Sequence, residues 1–218
     1  MKLHVDNISK AYGDIQLFRD TSLLIEPGEI ICIKTGVLDG GTTLLKMLAG
    51  LTEPDSGKIT LNNKVFSKHE PTFLFKNVSM CFEEGGALDV FSNYNNIVLP
   101  ILYHQDIDPD EIHHRIDRIG TMLNLLDHMD KEPFQLNDVQ KRLLNLCRAL
   151  VIEPSVIIID ELQSGMSKDI RDNVINFLLS EQREKHFSII LTTTAGDRTD
   201  FSDRVYRIEN YNLIQESQ

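Results

Sequence analysis

Apolar and polar residues alternate from the start of the chain, MKLHVDNISKAYG, as on a half-buried strand, and a turn follows at Tyr12-Gly13-Asp14. A second extended stretch, SLLIEPGEIICIK, is broken by the strong turn signal Pro27-Gly28. Its last part, Glu29 to Lys34, is a short continuous apolar run of the kind found in fully buried strands. The loop Thr35 to Gly41 comes next, then TTLLKMLAGL, a predicted helix opened by threonines and closed at Gly50. Strand, glycine-bearing loop and helix in that order are the layout of a phosphate-binding turn. Residues 51–82 are predicted to be mostly extended, with a turn over 53–57.

From about residue 108 the period changes to that of a helix. Ile112, Ile116, Ile119, Leu123 and Leu126 form an apolar stripe, and a second helical stretch runs from Val139 to Ile152. SVIIID is then a buried strand ending in two carboxylates, 169–185 is helical, HFSIILTTT is another buried strand, and DRVYRIENYNLIQE alternates as a terminal hairpin. Strands alternating with helices predict an α/β core in one domain over 1–218, with an inserted helical subdomain at about 86–152.

Composition narrows the classes. With 22 Lys and Arg against 33 Asp and Glu, the net charge of -11 argues against nucleic acid as a partner, because that binding rests on cations neutralising phosphates. No apolar run reaches the roughly 20 residues of a membrane span, and the N-terminus does not read as a signal peptide. Cys32, Cys81 and Cys147 are scattered and odd in number, so a reducing cytoplasm is the expected compartment. His113 and His114 face away from the isoleucine stripe and His104 falls in a predicted loop, so a metal site among them is not expected.

The order of the segments resembles the ATP-binding subunit of ABC transporters over essentially the whole chain. The matching pieces are ISKAYG, PGEI, LLKMLAGL, EPDSGKI, LCRALVIEPSVIIIDE and DRVYRIEN. The resemblance implies a P-loop NTPase-like ABC ATPase core with an antiparallel β subdomain and an inserted α-helical subdomain. It implies ATP and Mg2+ as ligands, with Tyr12 stacking the adenine and Gly36, Gly40, Gly41, Thr42 and Thr43 forming the phosphate loop. Thr42 and Asp160 would hold the magnesium and Glu161 would polarise the attacking water. The alternative for Asp160-Glu161 is an acid pair that caps the following turn.

Departures from the family pattern concentrate on this chemistry. Counting back from LLKMLAG, Gly41 takes the position of the phosphate-loop lysine; sliding by one puts Thr42 there, and neither register supplies a lysine. Leu38 replaces a glycine and Asp39 adds a negative charge. Lys34 and Lys46 are the nearby cations; Lys34, which precedes the loop, is the better-placed substitute of the two, but a solvated or strand-end lysine is the favoured reading of it. Glu83 stands for a glutamine, Leu136-Asn137-Asp138-Val139-Gln140 for LSGGQ, Thr193 or Thr194 for the switch histidine, and Ser167 for an aspartate. Weak ATP binding and little hydrolysis are therefore expected, either as residual activity or in a non-catalytic pseudo-ATPase. Gly85 to Leu88, with Val90, Phe91, Asn96, Ile97 and Pro100, is similar to a stretch in ATPases of Mce-type phospholipid and hydrophobe transport. The expected partners are a membrane permease and a second cassette, identical or different, on the inner face of the membrane.

Overall fold

The computed structural model describes residues 1–66, 71–83, 85–104 and 107–216. Two sheets carry the architecture. Strands β1 (Leu3–Tyr12), β2 (Ile15–Ile25), β4 (Ser56–Leu61) and β5 (Lys64–Val65) form an antiparallel sheet in the order β2-β1-β4-β5. The second sheet has the order β10-β9-β3-β8-β7-β6. Its strands β3 (Ile30–Lys34), β6 (Val78–Cys81), β7 (Val156–Ile159), β8 (Ser188–Thr193) and β9 (Arg204–Glu209) run parallel. Strand β10 (Asn212–Gln215) folds back antiparallel on β9 as the predicted terminal hairpin.

The uninterrupted apolar runs follow from burial on both faces of the parallel sheet. Alternate residues divide between two cores. Ile31, Ile33, Val156, Ile158 and Ile190 pack toward helix α1 (Gly41–Leu48) and the antiparallel sheet. Ile30, Cys32, Ile157, Ile159, Ile189 and Leu191 pack into the core that also takes the apolar faces of the other long helices. Those helices are α3 (Asn93–His104), α4 (Pro109–Met122), α5 (Asp138–Val151) and α6 (Lys168–Lys185). The three cysteines are buried, and burial pushes each thiol up to about 12, which keeps them unreactive.

Three expectations are corrected. The stretch 51–82 is not extended throughout, because Pro71–Asn77 forms the short helix α2. His104 is the last residue of α3 rather than a loop residue, because that helix continues through Pro100. The predicted stripe is buried at Ile112, Ile116, Ile119 and Leu123, but Leu126 is exposed in a short 3-10 turn, because α4 ends at Met122. His113 and His114 are exposed, His113 beside Asp117 at 3.3 Å. Among the described residues no cluster of metal-ligating side chains occurs, and no helix is long and apolar enough to cross a membrane.

Candidate functional site

Parallel strands deliver their following loops to one edge, and ligand sites of α/β sheets lie there, outside the carboxyl ends of the strands. At this edge lies a cavity of about 600 Å³. The loop after β3 supplies Gly36, Leu38, Asp39 and Gly40, and the first turn of α1 supplies Gly41, Thr42 and Thr43. Asp160 and Glu161 enter from the end of β7, Glu83 from the end of β6, and Tyr12 from the end of β1. Tyr12, Gly36, Gly40, Gly41, Thr42, Thr43, Asp160 and Glu161 thus line a single pocket, whereas the segments standing for the signature and for the switch histidine do not. Among the residues lining it none is a lysine or an arginine, while Asp39, Glu83, Asp160 and Glu161 are all carboxylates.

The loop keeps its shape by unusual means. Leu38 has φ 63°, a left-handed conformation that costs a side-chain-bearing residue about 1–2 kcal/mol. Gly40, the N-cap of α1, has φ 96° and is closely flanked by Leu17 and Phe18, so no side chain fits there. The Asp39 carboxylate bridges the loop: Oδ2 accepts from the Gly36 N–H at 2.5 Å and Oδ1 from the Gly41 N–H at 3.0 Å. A Cβ at Gly41 would lie 2.4 Å from Thr35 Cγ2. Thr35 is held in that pose because its hydroxyl donates to the Thr193 carbonyl oxygen at 3.2 Å.

The acid pair is anchored from the sheet. Asp160 is buried, its N–H donates to the Cys81 carbonyl oxygen, and its Oδ1 accepts from the Thr192 hydroxyl at 2.7 Å. The same hydroxyl oxygen accepts from the Glu161 N–H at 3.0 Å. Glu161 adopts φ 44°, and its carboxyl is held above the ordinary carboxylate range, first by burial and then by Glu83, Asp160 and Asp197, with Arg142 opposing.

Neither candidate lysine joins the pocket. Lys34 pairs with Glu216 at 2.7 Å, and Lys46 lies exposed in the last turn of α1. Lys34 is therefore a strand-end lysine and not a substitute for the phosphate lysine. Tyr12 is half exposed at the mouth, with Lys10 Nζ 5.2 Å from its ring centroid and Lys10 itself paired to Asp55. The segment standing for the signature opens α5 as a reciprocal capping box. Asn137 Oδ1 accepts from the Gln140 N–H at 2.9 Å, and Gln140 Oε1 accepts from the Asn137 N–H at 3.0 Å. Asp138 is left almost fully exposed in the first turn.

Three contributors escaped the sequence reading. Thr192 joins the acid pair, and Asp197 accepts from both the N–H and the hydroxyl of Thr194. Buried Arg142 donates to the Ser164 carbonyl oxygen at 2.6 Å and lies 3.6 Å from Glu83. An arginine flanked by the buried leucines of α5 was the available signal, since a buried charge requires partners.

Comparison with known proteins agrees with this architecture. A sequence profile described as ABC transporter matches residues 18–164, more than half of the chain. The chain is 28% identical to the spermidine/putrescine import ATP-binding protein PotA of Fusobacterium nucleatum, the match covering 93% of this chain and 54% of that protein. It is 28% identical to the putrescine export system ATP-binding protein SapF of Escherichia coli K12, covering 98% of this chain and 84% of that protein. The chain spans just over half the length of the import relatives, 54% and 58% for two PotA proteins. A dimeric ATP-binding cassette solved in a post-hydrolysis state with ADP and phosphate superposes with a TM-score of 0.90 at 19% identity, over 98% of this chain and 97% of that one. That likeness establishes the fold, and the profile match establishes the family: the chain belongs to the ABC transporter family and has the fold of its ATP-binding cassettes.

Proposed function

We propose that the chain is the cassette subunit of a membrane transporter in which nucleotide is bound weakly and hydrolysed little. The observation that carries this reading is the charge of the pocket: four carboxylates converge there and no lysine or arginine lines it. A triphosphate does not fit such a lining. Loss of one charge-assisted contact costs roughly 1.5–3 kcal/mol, or about one to two decades of affinity. Thr42 is exposed and available for Mg2+, but Asp160 is already engaged by Thr192. In this reading Tyr12 and the loop glycines keep the outline of a nucleotide site, and Glu161 acts on water only if residual hydrolysis persists.

A second reading, a non-catalytic pseudo-ATPase that holds a permease or an intact second cassette, is favoured by the contrast with another face. On α3 Ile97 and Ile101 are fully buried, while Leu99, Leu102 and Tyr103 are exposed. Asn96 fixes the adjoining loop by accepting from the Leu88 N–H at 2.7 Å and donating to the Leu88 carbonyl oxygen at 3.0 Å. Apolar grooves of about 210 and 360 Å³ lie on either side of Pro100 and Arg148. We assign permease docking to this face, in keeping with a helical subdomain over about 86–152 and a peripheral location on the inner membrane face. The resemblance of the 85–100 segment to Mce-type ATPases supports a phospholipid or other hydrophobe as cargo. The second cassette of the dimer is either a copy of this chain or a different one.

Calorimetry of ATP binding, with and without Mg2+, tests the primary reading. The expected dissociation constant is raised at least about tenfold over an ordinary cassette by the missing charge contact. Low-micromolar, magnesium-dependent binding would refute it.

A further inference from the structure

Anion cradles built from backbone are made of N–H groups that converge while lacking partners of their own. In the loop after β3 two such groups already have one. The Gly41 N–H belongs to the first turn of α1, where the helix leaves its donors unpaired and its dipole favours negative charge. That N–H donates to Asp39 Oδ1 at 3.0 Å, and the Gly36 N–H, from the far side of the loop, donates to Asp39 Oδ2 at 2.5 Å. One carboxylate therefore spans both walls of the loop, as an anionic oxygen pair of a phosphate would. Leu38, held at φ 63° next to it, adopts a backbone that a side chain disfavours, so something must hold the loop open without a ligand. The two bonds to Asp39 do so.

We propose that Asp39 is a built-in occupant of the phosphate loop, competing with any incoming phosphate for the N–H groups of Gly36 and Gly41. This deepens the weak-binding reading by giving it a second cause that is separate from the missing lysine. A lysine lost from a loop leaves an open, weakly attractive cradle. A carboxylate seated in the cradle must first be displaced, into a pocket that already holds Glu83, Asp160 and Glu161.

An ordinary Asx turn explains the Oδ1 bond to Gly41 alone, because it joins residues two apart. It does not explain the Oδ2 bond back to Gly36. The two accounts separate experimentally. Inorganic pyrophosphate binding would be measured by calorimetry on the whole chain and on its Asp39→Ala, Asp39→Asn and Glu83→Gln variants. Occupancy predicts that Asp39→Ala tightens pyrophosphate binding at least tenfold. Asp39→Asn, which retains one oxygen acceptor, should fall between that variant and the parent. Glu83→Gln removes a charge from the same pocket without freeing either N–H, and should tighten binding by clearly less than Asp39→Ala does. Amide resonances of Gly36 and Gly41 should move upfield in Asp39→Ala as the charged acceptor is lost.

Unchanged pyrophosphate affinity in Asp39→Ala, or an equal gain from Glu83→Gln, overturns the proposal in favour of an ordinary turn or of general repulsion. If Asp39→Ala fails to fold, the same comparison is made with Asp39→Asn, where no gain over Glu83→Gln is the refuting result. Failure of the weak-binding reading is distinguishable. Tight ATP binding by the unaltered chain overturns that reading, whereas the affinity ratio between variants reports on Asp39 alone.

Discussion

Lysine placed at position 41 is the substitution that the family resemblance suggests for restoring nucleotide affinity, and the geometry opposes it. Gly41 does not have a positive φ, so the backbone admits a side chain there. The obstacle is Thr35, whose Cγ2 would stand 2.4 Å and whose Cβ 3.3 Å from the new Cβ. Thr35 cannot swing away without giving up its bond to the Thr193 carbonyl oxygen. Overpacking of this kind costs about 1–3 kcal/mol. For a chain of this size each kcal/mol lowers Tm by about 2–4 °C, so Gly41→Lys alone should melt roughly 2–12 °C lower. Thr35→Gly alone sacrifices one hydrogen bond, about 0.5–1.5 kcal/mol, and some backbone entropy. The double variant should recover most of the steric penalty, giving a favourable coupling of about 1–3 kcal/mol in a thermal-denaturation double-mutant cycle. Only the double variant should gain ATP affinity, by up to about two decades from the restored charge contact. Additive melting temperatures, or Gly41→Lys alone tightening ATP binding as much as the pair, would refute the reasoning.

The remaining predictions concern the acid pair and the docking face. Because the Glu161 carboxyl is held above its ordinary value of 4.5 in the fold, its ionised form counts against folding at neutral pH, and that penalty fades as pH falls through the raised value. Glu161→Gln should therefore raise Tm at pH 8, with the gain shrinking toward zero in acid; an unchanged or lower Tm at pH 8 contradicts this. The same variant should leave phosphate release at the background level of the parent, and a loss of measurable release would restore a catalytic role. Leu102→Glu and, separately, Leu102→Lys, at a position 67% exposed, should leave Tm within about 0.5 kcal/mol equivalents of the parent while abolishing recovery of a co-expressed permease. A complex that survives those charges sinks the docking assignment.

The sheet was legible because EIICIK, SVIIID and SIILTT leave no polar face, and only a strand covered on both sides tolerates that. The isoleucine stripe of α4 was legible by its period. Helix α2 was not: PTFLFKN is rich in aromatic residues that favour strands, and its one helical signal, a proline at the first position, fits a turn equally well. His104 was misplaced because Pro100 reads as a helix breaker, yet α3 runs through it. At the site the sequence located the loop, the acid pair and Tyr12, but not Ile15 and Leu17, which also line the pocket, nor what each residue touches. Asp39 read as a repelling charge, and the Asp-Gly-Gly run offered a turn signal but no sign of the bond back to Gly36. The opposition of Thr35 and Gly41 pairs residues six apart in sequence, and no local pattern encodes it.

Those contacts share a physical logic. Three segments that the resemblance assigns to phosphate are closed by bonds within their own loops: Asp39 to Gly36 and Gly41, Asn137 with Gln140, and Asp197 with Thr194. A donor waiting for a ligand is a cost that ligand binding repays, so a cassette dependent on nucleotide is stabilised by RT ln(1 + [L]/Kd) when nucleotide is present. A loop whose donors are already paired carries no such debt and gains nothing comparable from the ligand. On the proposed reading the nucleotide edge has become self-sufficient, while α3 still presents Leu99 and Leu102 to solvent, apolar area suited to a partner. On that reading Asp39 in the loop and Asp138 in the signature are tolerated because ATP turnover is not required of the chain. Selection for a folded scaffold that engages a permease favours local pairing at one edge and an uncovered apolar face at the other.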